Sequence, residues 1–338
     1  METNVMESNV ADVGTMTPEV SESEIIESKL VGKKLKKQKE NSPVKRSTGQ
    51  KVALWIVCAI FILYSVSLLF PFAWLLFNSF KTRQDFLTSA VANGGMSIPA
   101  IFDPHNYYEA LIGFKLTVGS GSAVKEVNLL QMFLNSIILT ATTTFLEVFF
   151  SACTAYVLAK YNFPGKKIIF GMVLASMVIP VVGTLPVMYD FIGSIGLMDT
   201  LPGVWIVYVG GFAFGFLLLN GHFKSLSWTY AEAAQIDGAT SFGVFFKIMI
   251  PLSMPALISL AIITAIDYWN NFGTPKIYLP SMPTVAVGLD SLMIEIEKTS
   301  DYPLMFACVL VAIAPIVAIF CCFQKVIISN MVAGGIKG

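Results

Sequence analysis

An all-α membrane protein with six transmembrane helices and a helical loop between two of them is the fold this sequence predicts. Three observations carry that reading. Hydrophobic residues make up 55% of the 338 residues and charged residues only 13%, about half the roughly 25% of soluble domains. Six mostly apolar segments reach the ~20 residues that a spanning helix needs. The polar stretch 221–254, between two of those segments, carries its own helix start and stop signals.

Taken in order, residues 1–49 hold few large apolar side chains and many Ser, Thr and charged residues, the composition of a disordered tail. Its acidic residues (Glu2 to Glu27) precede a basic run, Lys33-Lys34-x-Lys36-Lys37-x-Lys39. Acid before base, with about fifty residues ahead of the first apolar segment, is not a signal peptide. Such a tail suits a cytoplasmic position, with its lysines held at an anionic leaflet.

The expected spans lie near 52–77, 134–158, 168–190, 202–220, 255–272 and 303–327. Basic residues favour the inner side, so the tail places the N-terminus inside and an even span count returns the C-terminus there. Sixteen of the 22 Lys and Arg then fall inside, and the other six are Lys81, Arg83, Lys115, Lys125, Lys276 and Lys298. This places 221–254 in the cytoplasm and both termini with it. The connection 78–133, with Gly, Ser and Asn clusters at 92–95 and 119–122, is expected on the outer face with a short interfacial helix. Pro71, Pro180 and Pro186 fall within spans. Freed backbone groups are tolerated where protein or a wet cavity satisfies them, so these prolines mark either a transport path or plain kinks.

Several chemistries are excluded. The five cysteines (Cys58, Cys153, Cys308, Cys321, Cys322) fall in apolar spans without metal-site spacing and read as small apolar residues. Only His105 and His222 are present, too few for a histidine metal site or a catalytic triad. No G-x-x-x-x-G-K-[ST] loop occurs, so any ATP is bound by another chain. The sequence predicts no catalytic residue, no metal and no cofactor.

Within 221–254, Thr229-x-x-Glu232 is a capping-box pattern that predicts a helix from Thr229 to Ile236. Gly238 supplies the left-handed residue that ends it. Thr240 and Ser241 can cap a second helix whose apolar face uses Phe242, Phe245, Phe246 and Met249. Pro251 is expected to stop that helix, and Pro255 to sit in the first turn of the next span. Small Ala233 and Ala234 would let the first helix lie close against a partner. Glu232 can cap its own helix and also meet a basic residue of that partner.

Glu232-Ala233-Ala234, three residues, Gly238, nine residues, then Ile248-x-Ile250-Pro251 resembles the EAA loop of ATP-binding-cassette importer permeases, with Ile250 where that pattern has Leu. The likeness covers roughly 50–338. It takes in Asn78-Ser-Phe-Lys81, Asn135-Ser-Ile, Ala155-Tyr156-x-x-Ala159-Lys160, Ile179-Pro180, Gly196-Leu-Met-Asp-Thr200, Trp269-Asn270-Asn271-Phe272 and the closing Ala333-Gly-Gly-Ile-Lys-Gly338. These look like the maltose-type carbohydrate permeases. The resemblance implies a coupling helix docked on an ATPase through Glu232, Ala233, Ala234, Asp237, Gly238 and Pro251. It also implies a second permease subunit in a heterodimer, two ATPase subunits and an extracytoplasmic solute-binding protein. A carbohydrate would cross the plasma (inner) membrane; nucleic acid has no part. A non-sugar solute stays open as cargo.

Two carboxylates lie inside apolar spans, Glu147 and Asp267. A charge at the bilayer centre costs about 2.5–3.5 kcal/mol on insertion scales, so such residues face a cavity or a partner. Asp267 is followed by Tyr268, Trp269, Asn270, Asn271 and Phe272, whose rings and amides suit sugar faces and hydroxyls. The alternative is packing against a partner permease. Glu147 suits a helix–helix hydrogen bond as well as a cargo contact. An ion-coupled carrier would use the same two carboxylates but leaves the loop unexplained, and a membrane enzyme would have only Asp and Glu to work with.

Overall fold

The computed structural model describes residues 47–119, 124–178, 185–209 and 213–335, with side chains to Gln324. The tail to residue 46, Pro180 and the last three residues lie outside this set. Packing divides the chain into two units, to Leu68 and from Leu69. Helix α1 (Thr48–Ser79) begins in the first. None of its side chains up to Leu68 is buried, as befits a helix apolar on all sides.

In the second unit, Ser79 and Lys81 anchor a folded cap in place of one interfacial helix. It consists of α2 (Arg83–Asn93), α3 (His105–Tyr108) with a π turn at Glu109–Gly113, and an antiparallel pair, β1 (Lys115–Val118) and β2 (Lys125–Asn128). Thr82 caps α2 by accepting the Asp85 amide, and Gly94 (φ 66°) ends it. The Asn106 amide donates to the carbonyls of Ser79 and Lys81, both at 2.8 Å.

Lys81 is fully buried. Its Nζ donates to Ser89 Oγ (3.0 Å), the Gly95 carbonyl (3.1 Å) and Ser97 Oγ (3.1 Å). Burial lowers its pKa and Asp85 works in the opposite sense. One ammonium therefore pins both ends of the segment around Gly94 and Gly95. Lys81→Met keeps the stem and removes all three bonds, at about 1.5–3 kcal/mol for a charged donor. The expected result is faster limited proteolysis between Gly94 and Ser97 in the detergent-purified chain; unaltered cleavage would mean the pin is dispensable.

The long rods follow. Asn128 and Gln131 form a capping box that starts α4 (Leu129–Lys160), five residues ahead of the expected span. Next come α5 (Lys166–Val178), α6 (Leu185–Ser194), α7 (Leu201–Val209), α8 (Ala213–Ser225) and the short α9 (Thr229–Ile236). α10 (Ser241–Val244), a π turn at Phe245–Met249 and α11 (Ile250–Asn270) run on as one helix. After it come α12 (Gly273–Tyr278), α13 (Val285–Thr299) and α14 (Tyr302–Gly335).

Among the described residues, α1, α4, Ser241–Asn270 and α14 are each long and apolar enough to cross a membrane; α7 with α8, bent by 59°, counts as a fifth if the pair is one span. The expected span 168–190 is represented by α5 and α6, with 179–184 outside the described set. Pro186 stands in the first turn of α6, where its missing N–H costs no helical bond.

α4 is the central rod, packed against α8 and α11. Gly215 of α8 permits the close approach, since a Cβ there would lie 2.7 Å from Ser151 Oγ and 3.0 Å from a Leu260 methyl. The first end of α4 is tied to α13 by Asn135 Nδ2 to the Pro283 carbonyl (2.9 Å) and by the Val285 amide to Ser136 Oγ (2.8 Å). α13 buries Val285, Gly288, Leu292 and Ile296, one helical stripe.

Candidate functional site: a surface helix and a buried polar pair

The 221–254 loop is built around α9. Its ends are as expected, but its start signal works differently. Trp228 is the N-cap and makes no side-chain cap bond. Ser227 Oγ accepts the Thr229 amide (3.3 Å) and its hydroxyl donates to Thr229 Oγ1 (2.9 Å). The Thr229–Glu232 capping box therefore does not form, because Thr229 already lies inside the first turn. Among the described residues nothing bonds the Glu232 carboxylate, and the residue is exposed.

At the other end, Gly238 takes φ +86°. Its amide donates to Gln235 O (3.0 Å) and that of Ala239 to Ala234 O (2.9 Å), the two bonds of a Schellman motif. Ala231 is fully buried against the rods, so α9 is seated by one face. Ala234 is half-buried, while Tyr230, Glu232, Ala233, Ile236, Asp237 and Gly238 are exposed.

Thr240 caps the next helix by accepting the Gly243 amide (3.2 Å). Its buried side is Val244, Phe245 and Met249; Phe242 and Phe246 are 78% and 50% exposed, so the expected four-residue apolar face is split. Pro251 does not stop the helix. The π turn directly before it, closed by the Ile250 amide on Phe245 O, admits an extra residue where a proline ring would clash with the carbonyl four residues back. Pro255 lies inside α11.

The second group of candidates lies in the rods. The Tyr268 hydroxyl donates to Glu147 Oε2, with both residues under 8% exposed. The Tyr208 ring lies 4.5 Å from that of Tyr268. Asp267 is exposed on the chain yet within electrostatic range of Glu147. The run 267–271 does not form one surface, because successive residues on a helix turn by about 100°. Trp269 is buried, its Nε1 donating to the Ala312 carbonyl (3.3 Å). Asn270 is exposed and donates back to Ile266 O (2.8 Å). Asn271 Oδ1 accepts the Thr274 amide (3.1 Å) at the start of α12. A groove of about 250 Å³ runs beside Trp269, Asn270 and Phe272, with Leu289, Asp290 and Met293 opposite. Asp290 is paired with Lys276 at 2.6 Å.

Residues 147–332 match the family model of the binding-protein-dependent transport system inner membrane component. The chain belongs to that family. Its members are transport components of the membrane rather than enzymes. The arabinooligosaccharides transport system permease protein AraQ of Bacillus subtilis is 31% identical, over 82% of this chain and 94% of its own length. The diacetylchitobiose uptake system permease protein NgcG of Streptomyces coelicolor is 29% identical, over 82% of this chain and 86% of its own. A bacterial ABC transporter involved in the import of the acidic polysaccharide alginate shares the fold with a TM-score of 0.69 at 20% identity, covering 84% of this chain and 99% of that one. This binding-protein-dependent transport component thus has α9 and its Schellman turn as the polar interruption between apolar rods.

Proposed function

We propose that this chain is a permease subunit of an ATP-binding-cassette importer that moves a carbohydrate across the plasma membrane. It works beside a second permease, above two ATPase subunits and below a solute-binding protein. The observation that carries the reading is α9. A helix anchored by Ala231 presents an exposed carboxylate, Glu232, with Tyr230, Ala233 and Ile236, a surface suited to docking in a cleft of another protein. Glu232, Ala233, Ala234, Asp237 and Gly238 form or frame that surface, and Pro251 sets the start of the rod that leaves it.

Both termini and this loop lie in the cytoplasm, as the distribution of lysines favours. The exposed apolar sides of α1 suit lipid and the partner permease. The relatives named for arabinooligosaccharides and diacetylchitobiose support an oligosaccharide cargo. On ATP binding, closure of the ATPases moves α9 and tilts the rods toward the outward-open state.

Asp267 and Asn270 share a face of α11 at i, i+3 and line the path or the partner contact, while Asn271 stays a helix cap. Tyr268, Trp269 and Glu147 support that face from behind. Asp267→Ala is expected to lower uptake severalfold and leave the complex assembled, checked by transport rate and by co-purification; normal kinetics would remove Asp267 from the path.

The deciding experiment is a mild-detergent purification of this chain from its native membrane, with every co-purifying protein identified by mass spectrometry. An ATPase, a second permease and a solute-binding protein are expected, and the last can be screened with arabinotriose, diacetylchitobiose and maltotriose. Recovery of a stable homo-oligomer alone would refute the reading.

A further inference from the structure

We infer that Tyr156 is the positioning residue through which movement of α9 reaches the central rod α4; this rests on the coupling role of α9 proposed above. Tyr156 is 4% exposed, close to the end of α4 nearest the loop, and its ring meets three others. Phe245 lies at 4.8 Å, Phe223 at 5.6 Å and Tyr161 at 5.7 Å between centroids. Tyr161 in turn meets Trp228 edge-on at 5.9 Å.

The places of these rings in the chain give the cluster its meaning. Trp228 is the residue immediately before α9, and its carbonyl accepts the amides of Ala231 (2.8 Å) and Glu232 (3.1 Å). Phe245 opens the π turn that follows α9 and α10. Phe223 is in the last turn of α8, which leads into it. Both stalks of the loop therefore close on one ring of α4.

Polar ties hold the same junction. Lys160 Nζ donates to the Leu226 carbonyl at 2.6 Å. Asn220 Nδ2 donates to the Ala155 carbonyl at 3.2 Å, and Lys166 Nζ to the Tyr161 carbonyl at 2.9 Å. Close-packed interiors transmit displacement because they deform little, and edge-to-face rings fix each other's orientation. α9 itself meets the core through small Ala231 and the partly buried Ala234, whereas the aromatic cluster joins its start through the ring of Trp228. Among the described residues the Tyr156 hydroxyl reaches only Tyr161 Oη, at 3.5 Å, so the ring is the working part.

The test is hydrogen–deuterium exchange on the whole importer in nanodiscs, with and without MgATP and vanadate. In the unaltered complex, trapping is expected to change exchange in two peptides, 229–238 and the α4–α5 turn 157–167. In Tyr156→Ala the change at 229–238 persists and that at 157–167 falls at least threefold, while Tyr156→Phe restores it. If Tyr156→Ala does not assemble, Trp228→Ala, at the half-buried outer end of the cluster, is expected to give the same split. A change at 157–167 that survives in these variants, or that is absent from the unaltered complex while 229–238 responds, overturns the inference, as does failure of the Phe variant to rescue. No response at 229–238 in the unaltered complex instead refutes the coupling role of α9 itself, and this inference falls with it.

Discussion

Gly238→Pro should leave the permease inserted in the membrane while co-purification of its ATPase subunits falls more than tenfold. Proline fixes φ near −65° and carries no N–H, whereas Gly238 holds φ +86° and donates to Gln235 O. Both bonds of the turn are lost together, at about 3 kcal/mol or more, and α9 can no longer reverse into Thr240. Gly238→Ala separates conformation from space. No atom lies within 4 Å of the Cβ it would add, so the cost is only the left-handed backbone, about 1–2 kcal/mol. That variant should lose far less than Gly238→Pro. Glu232→Lys probes the docking face without touching the turn, since Glu232 is exposed. Chain yield should be unchanged while ATP hydrolysis no longer supports uptake. Equal ATPase recovery from Gly238→Pro and Gly238→Ala would show that the geometry of the turn is irrelevant to docking.

The signals at Gly238 and Thr240 were legible because they are local: a left-handed glycine and a hydroxyl cap act within three or four residues. Apolar length gave the rods for the same reason, although α4 begins five residues before its expected span because its cap, Asn128, lies in the preceding strand. The second helix of the loop is covered only in part, for a different reason. Of its apolar face, Phe242 and Phe246 are exposed in this chain, and apolar character does not say which protein covers a residue. The hairpin left a readable trace. Lys115-Leu-Thr-Val and Lys125-Glu-Val-Asn flank a Gly-Ser cluster, and β1 alternates apolar with polar residues. Contacts between distant segments left none. Tyr156 lies 89 residues from Phe245, and nothing in either neighbourhood announces the other. The same holds for the pairing of Glu147 with Tyr268, where the alternatives of cargo contact and helix tie could be separated only by finding the partner.

That pairing sets up the sharpest contrast between single and double replacements. Among the described residues Tyr268 is the donor to the Glu147 carboxyl, so Tyr268→Phe leaves that carboxyl buried between α4 and α11 without it. An unsatisfied buried polar group costs about 1–3 kcal/mol, more if charged, and in a membrane interior water offers little relief. Glu147→Leu leaves the smaller burden of one phenol hydroxyl. Replacing both partners removes both polar groups, and such exchanges are often close to neutral. The order of stability expected for the purified complex is therefore unaltered chain, then the double variant, then Glu147→Leu, with Tyr268→Phe lowest. Glu147→Gln keeps an acceptor oxygen and should stay near the unaltered chain. Thermal unfolding in detergent measures all five, and the double-mutant cycle isolates the coupling between the two residues. A helix tie predicts that the double variant recovers stability and uptake together. If stability returns but uptake does not, Glu147 acts on the cargo as well as on Tyr268. Additive losses would mean that the two side chains do not share a bond in the assembled importer.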